Sequence, residues 1–196
     1  FEDPAERAKW TLNAGRMRLL NIWCFGQAGD FSEHGNQGLF ISRDDNQVEP
    51  VYNPLNTMFV TAVREFSDLP EGKYRLYFDW RCCGKQSSSE GFYVCWVPVD
   101  STINSAANAG GVPSWVQDHQ CAPVFAGKTQ WSVGQVDINH DGGPRKLVFL
   151  WFNTQGTMAS PAACIDNLEL RPLSDNTTCV APYDITHEIH ENVVTF

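Results

Sequence analysis

The sequence predicts an all-β protein, built as an antiparallel β-sandwich. Three observations carry that prediction. Residues 72–83, GKYRLYFDWRCC, alternate with period two: Tyr74, Leu76, Phe78 and Trp80 share one face, and Lys73, Arg75, Tyr77, Asp79 and Arg81 share the other. Other strand-like apolar runs recur every ~10–15 residues with turn residues between them. No stretch holds a helical period for long. A helix would scatter the aromatics of residues 74–80 around its circumference, so a strand accounts for them better. Pro70 and Gly72 open this strand and Gly84 closes it. Its large apolar face makes it the central strand of the predicted core.

The other elements follow in order. Asp3-Pro4 predicts a short capped helical turn through AERAKW, broken by Gly15. NIWCFG (21–26) reads as a strand, 27–38 as a loop, and LFIS (39–42) as a strand closed by the polar turn RDDNQ. Val51-Tyr52, bracketed by Pro50 and Pro54, reads as a strand edge. MFVTAVREF (58–66) is a strand with mixed faces. After the central strand, FYVCWVPV (92–99) and KLVFLWFN (146–153) are apolar on both faces, as strands covered on both sides are. Between them, 100–114 reads as a long small-residue loop, 116–126 as irregular, and TQWSVGQVDI (129–138) as an alternating strand with a bulge at Gly134. ACIDNLEL (163–170) closes the domain. Beyond Pro172 the composition becomes linker-like, which predicts a domain over 1–173. Residues 174–196 are then a linker and the start of a truncated second module.

The totals exclude several functions. The chain has 196 residues, 42% of them hydrophobic, enough for a packed core without metals or disulfides. A net charge of −9 argues against nucleic acid, whose phosphates need a basic surface, and against an anionic membrane surface. No apolar run approaches the ~20 residues of a membrane span. The seven cysteines include no CxxC pair, which argues against a zinc ribbon. Cys24, Cys95 and Cys164 sit in apolar runs and read as small core residues, whereas adjacent Cys82 and Cys83 are the better disulfide candidates.

NIWCFG, GNQGLFIS with acidic turn residues after it, YRLYFDWRCCG, GFYVCWVP and IDNLEL together resemble the surface jelly-roll domains of Bacteroidetes proteins. These are the choice-of-anchor J or cleaved-adhesin domains, more distantly similar to MAM domains. The resemblance covers roughly 1–172, with Cys24 standing where an aromatic is expected. It implies a jelly-roll sandwich, a secreted or cell-surface location, and non-catalytic adhesion or carbohydrate binding. The tail APYDITHEIHENVVTF resembles the opening of a fibronectin type III domain. The partners so implied are a glycan or a cell-surface protein, and neighbouring domains of a longer chain. The competing reading is a structural spacer that positions such a neighbour.

The resemblance also implies a structural calcium site at one sandwich edge. Its matching positions are Glu2, the loop around Asn36, and Asp166 of IDN. Calcium takes six to eight hard oxygens, which carboxylates, amides and carbonyls supply. The blander reading leaves Glu2 frayed and Asn36 and Asp166 in local hydrogen bonds. His187 and His190 read as solvated tail residues, and His34, His119 and His140 fall in loop-like stretches. The chain has no GxSxG, HExxH or phosphate loop, and no strand carries paired carboxylates for glycosidic cleavage, so the chain reads as no enzyme. Seven tryptophans are many. Trp23, Trp80, Trp96 and Trp151 read as core; Trp115 in GGVPSWVQDH and Trp131 after a polar turn are the best candidates for exposed rings, the blander reading making Trp115 a plug over the sandwich end. An exposed indole stacks on a sugar's apolar face while amides and carboxylates bond its hydroxyls. Trp115 and Trp131, with Gln117 and Asp118, are therefore the predicted ligand contacts.

Overall fold

The computed structural model describes residues 1–15, 19–27, 35, 37–45, 47–85, 90–107 and 109–173, with the backbone of 188–190 and 193–195. Asp3 caps α1 (Pro4–Arg7) by accepting from the Ala5 N–H at 2.8 Å, with Pro4 at the first turn. The turn does not run on through Trp10. Residues Trp10–Leu12 form β1, because Trp10 leaves the turn to stack on Phe149 in the core, centroids 5.8 Å apart.

The strands that follow are β2 (Asn21–Gly26), β3 (Gly38–Arg43), β4 (Met58–Phe66), β5 (Gly72–Cys82), β6 (Gly91–Pro98), β7 (Ala106–Ala107), β8 (Lys128–His140), β9 (Arg145–Asn153) and β10 (Cys164–Pro172). They form two antiparallel sheets. One has the order β1-β4-β9-β6, with β7 on β4; the other has the order β2-β3-β10-β5-β8. From β3 onward, apart from the short β7, the chain changes sheet at every strand, which is jelly-roll winding. Strands β11 (Glu188–His190) and β12 (Val193–Thr195) pair with each other in a sheet of their own.

The main core lies between the two sheets, where Trp23, Phe78, Trp80, Phe92, Phe149 and Trp151 are buried. The alternation in β5 holds as predicted, with Tyr74, Leu76, Phe78 and Trp80 turned inward. β6 and β9 are buried on both faces because helix α2 (Ser114–His119) and its flanking loops lie over the outside of the first sheet. That helix occupies a stretch expected to be loop and irregular chain. One buried residue, Val116, pins it to the sheet.

Other local expectations give way for physical reasons. Tyr52 is no strand edge: its ring is buried against Trp151. His140 is no loop residue: it ends β8, buried between the rings of Tyr74 and Trp96. Gly134 is no bulge: it pairs in regular register with Phe78, and the irregularity falls between Trp80 and Cys82. A glycine stands there because a Cβ would come within 2.6 Å of the Phe78 ring and 2.9 Å of the Trp80 ring. Gly134→Ala is therefore expected to cost about 1–3 kcal/mol by overpacking, read as a lower denaturant midpoint. An unchanged midpoint would show that the aromatic layer has room to give. Cys82 and Cys83 are not bridged; all six described cysteines are free, and Cys24, Cys95 and Cys164 are buried as expected. Cys179 lies outside the described residues.

Candidate functional site

The first candidate site lies at one edge of the sandwich, where the N-terminus meets β3 and β10. Asp166 is the last β10 residue in register with β5 before a bulge that resumes at Glu169. Asn167, inside that bulge, takes φ 49° and donates its side-chain amide to Asp79 at 2.7 Å. The bulge leaves the Asp166 side chain buried. One carboxyl oxygen, Oδ1, accepts the Asn167 N–H at 2.8 Å and lies 3.8 Å from the α-amino group of Phe1. The other, Oδ2, is buried with no hydrogen-bond partner among the described residues. Burial first, and then the nearby Glu2 and Asp79, push this carboxyl above the ordinary aspartate range; the Asn167 N–H and the Phe1 ammonium only partly offset them.

Glu2 is not frayed. Its carboxylate reaches across to the loop before β3 and accepts the Gln37 N–H at 2.8 Å. Gly35 is part of the same fit: it sits at φ 147°, and a Cβ there would overlap the Glu2 carboxylate. Arg7 donates back to the Phe1 carbonyl at 2.6 Å and the Glu2 carbonyl at 3.0 Å, which fixes the N-terminal residues in place. The structure thus brings Glu2, Asp166 and the 35–37 loop to one edge. Asn36 itself lies outside the described residues. No group of three or more His, Cys, Asp or Glu side chains able to hold a metal occurs among the described residues, so any cation here would rely on carbonyl or amide oxygens as well as carboxylates. The donors present fit a hard cation: all are oxygens, and one buried carboxyl oxygen lacks a partner.

The predicted ligand residues are not brought together. Trp115, Gln117 and Asp118 lie on α2, over the outer face of the first sheet, and Trp131 lies on β8, on the outer face of the second. Trp115 is half-buried, packed against the cluster that includes Val63, Tyr93 and Val148. Trp131 is also half-buried; its ring packs on Cys24, Phe40 and Cys164, with the Arg81 guanidinium 5.1 Å from its centroid. Neither indole is the open platform that its polar sequence surroundings suggest. Gln117 and Asp118 are exposed. Beside them a shallow groove of about 280 Å³ runs between α2 and the 120–124 segment, lined by Gln117 and Gln120 over Tyr93. Gln120 and the Tyr93 floor carry no signal in the sequence, because it takes the end of α2 and the bridge of its C-cap Gln120 to Cys95 of β6 to bring Gln117 and Gln120 to one groove.

A second missed feature is the buried Glu90. Its Oε1 accepts from the Tyr52 hydroxyl at 2.5 Å, and its Oε2 accepts from the Thr154 hydroxyl at 3.0 Å and the Thr154 N–H at 3.2 Å. It joins the β3–β4 loop to the β9–β10 loop.

No protein-family model and no curated protein matches the chain. Among solved structures, it is similar to the K1 cleaved adhesin domain of Lys-gingipain from Porphyromonas gingivalis W83, at 11% identity over 85% of this chain and 92% of that one, TM-score 0.46. It is similar to TmCBM61, solved with β-1,4-galactotriose, at 13% identity over 86% and 91%, TM-score 0.43. It is also similar to the enzymatically active domain of tailspike protein 4 of bacteriophage CBA120, at 8% identity and TM-score 0.49, over 85% of this chain but only 20% of that one. These are distant likenesses of chain trace. The antiparallel sandwich itself rests on the strand pairing described above.

Proposed function

We propose that this chain is a non-catalytic recognition module, carbohydrate-binding or adhesive, of a secreted or cell-surface protein. The observation that carries the proposal is the α2 groove. Two exposed side-chain amides, Gln117 and Gln120, stand three residues apart over a tyrosine floor, with half-buried Trp115 and exposed Asp118 beside them. Each amide offers donors and an acceptor, the set that matches sugar hydroxyls. The groove is shallow and polar, so the affinity is expected in the millimolar to micromolar range, about −4 to −8 kcal/mol. Trp131, on the opposite sheet, has no part in it. The location outside the cell rests on the motif resemblance. No helix among the described residues is long and apolar enough to cross a membrane.

A calcium ion held by Glu2, Asp166 and oxygens of the 35–37 loop completes the proposal. Its role is structural: it ties the N-terminus to β3 and β10. The buried Oδ2 of Asp166 supports this reading.

A glycan array tests the recognition reading. A responsive glycan should lose about tenfold or more in affinity when Gln117 and Gln120 are both changed to alanine, with the melting curve unchanged because both are exposed. Trp115→Ala is a poorer probe, since its ring also packs on the sheet. A blank array, or retention indifferent to the double change, overturns glycan binding in favour of a structural spacer.

A further inference from the structure

We propose that the α2 groove takes one uncharged sugar residue at the end of a glycan, and that this residue carries a methyl group, as 6-deoxyhexoses and N-acetylhexosamines do. This narrower class rests on the recognition reading and adds size, charge and shape to it.

Size selects a single ring. The groove holds about 280 Å³, at the bottom of the range in which sites enclose a drug-sized molecule. A run of sugar chain needs a longer surface, such as exposed rings to stack on, and the described groove offers none. Its floor, Tyr93, is only 6% exposed, and Trp115 packs against the sheet. An internal sugar brings a neighbour on each side, whereas a terminal one leaves the groove by a single bond.

Charge selects a neutral ring. No lysine, arginine, aspartate or glutamate lines the groove among the described residues. Asp118 and His119 stand between the two glutamines in sequence, but neither lines it. A sialic acid, uronic acid or sulfated sugar would bring an anion to a site without a cation, next to the exposed Asp118 carboxylate and on a chain of net charge −9.

Shape selects the methyl group. The polar part of the groove is the pair of amides, and neither the Gln117 nor the Gln120 side chain has a hydrogen-bond partner among the described residues. They are free to donate to and accept from the hydroxyls on one side of a ring. Beyond Tyr93 the rest of the lining is aliphatic: Val112, Val116, Pro123 and Val124. A hydroxyl set against these side chains loses its water and gains no hydrogen bond, whereas a methyl group there is favoured. Val112 and Val124 pack on the apolar cluster of the sheet beneath, so the aliphatic part is fixed in place before a ligand arrives.

The glycan array, read by terminal sugar, tests the class, and proton NMR titration of matched monosaccharides tests the methyl group. The pairs are L-fucose against L-galactose and N-acetylglucosamine against glucose. Responsive glycans should end in an uncharged methyl-bearing sugar and be displaced by that sugar alone. The methyl-bearing member of at least one pair should bind about tenfold or more tighter than its partner. Val124→Thr, which exchanges a methyl for a hydroxyl at nearly the same shape, should shrink that preference. Gln117→Ala with Gln120→Ala should instead weaken both members alike. Val112→Thr serves in place of Val124→Thr if the latter lowers the melting temperature. Responders that end in acidic sugars, pairs whose members bind alike, or binding to chain interiors that no monosaccharide displaces overturn this inference. The recognition reading survives those results if the binding still needs Gln117 and Gln120, whereas a blank array removes both.

Discussion

Glu90→Ala is expected to lower stability by about 3–5 kcal/mol, one of the largest effects of any single polar substitution in this chain. Glu90 is fully buried. Truncating it leaves the Tyr52 hydroxyl, the Thr154 hydroxyl and the Thr154 N–H without their acceptors. Each stranded donor costs about 1–3 kcal/mol, and the void left behind adds to that. Glu90→Gln should cost less, about 1–2 kcal/mol, because the amide keeps one acceptor but turns a donor toward a donor on its other side. Denaturant midpoints at unchanged slope check both values. A local readout separates this from general weakening. The Ala159 and Gly156 amides, which bond to Tyr52 and Pro54, should exchange faster in the variants than amides of β9. A Glu90→Ala midpoint within the error of wild type would mean that the two loops hold without it.

What was legible in the chain was whatever periodicity could carry. The aromatics of β5 alternate because one of its faces is wet, and β6 and β9 run apolar throughout because both of theirs are dry. The same runs could not say what keeps them dry. Helix α2 is six residues with a single buried side chain, too short to leave a period. Gly134 looked like a bulge because a glycine's reason is spatial: the rings it accommodates belong to another strand. Tyr52 and Glu90 are 38 residues apart, and nothing local to either one points to the other. Trp131 is hidden from the sequence for a related reason. Its neighbours in sequence are polar, but its neighbours in space are Cys24, Phe40 and Cys164 from three other strands. The edge site was legible only through motif resemblance, since Glu2 and Asp166 come from the two ends of the domain and no local pattern links them.

Calcium is expected to raise the melting temperature by about 5–10 °C at neutral pH, and chelator to remove that gain. Free calcium at a hundredfold its dissociation constant stabilises by about 2.7 kcal/mol. In a chain of this size each kcal/mol is worth about 2–4 °C. The pH dependence gives the sharper test. Burial and the neighbouring Glu2 and Asp79 raise the Asp166 carboxyl in the folded state. A carboxyl raised on folding contributes stability while it is protonated, and that contribution is lost as pH rises from the ordinary aspartate range through the raised folded value. Without calcium, therefore, ionised Asp166 is a cost at neutral pH. Calcium cancels that cost by pairing with the carboxylate, and protons compete with it, so the calcium effect should fade on acidification through the same interval. Asp166→Asn keeps the shape and removes the charge. In chelator at neutral pH it should melt at or above the wild type, and it should ignore calcium. Gly35→Ala, which crowds the Glu2 carboxylate, should also blunt the response. A wild-type melt indifferent to calcium at neutral pH, or an Asp166→Asn variant that keeps the full shift, would remove the ion. Asp166 would then be a buried carboxyl raised above the ordinary aspartate range by burial, with the Asn167 N–H and the Phe1 ammonium, 3.8 Å away, as its partial compensation.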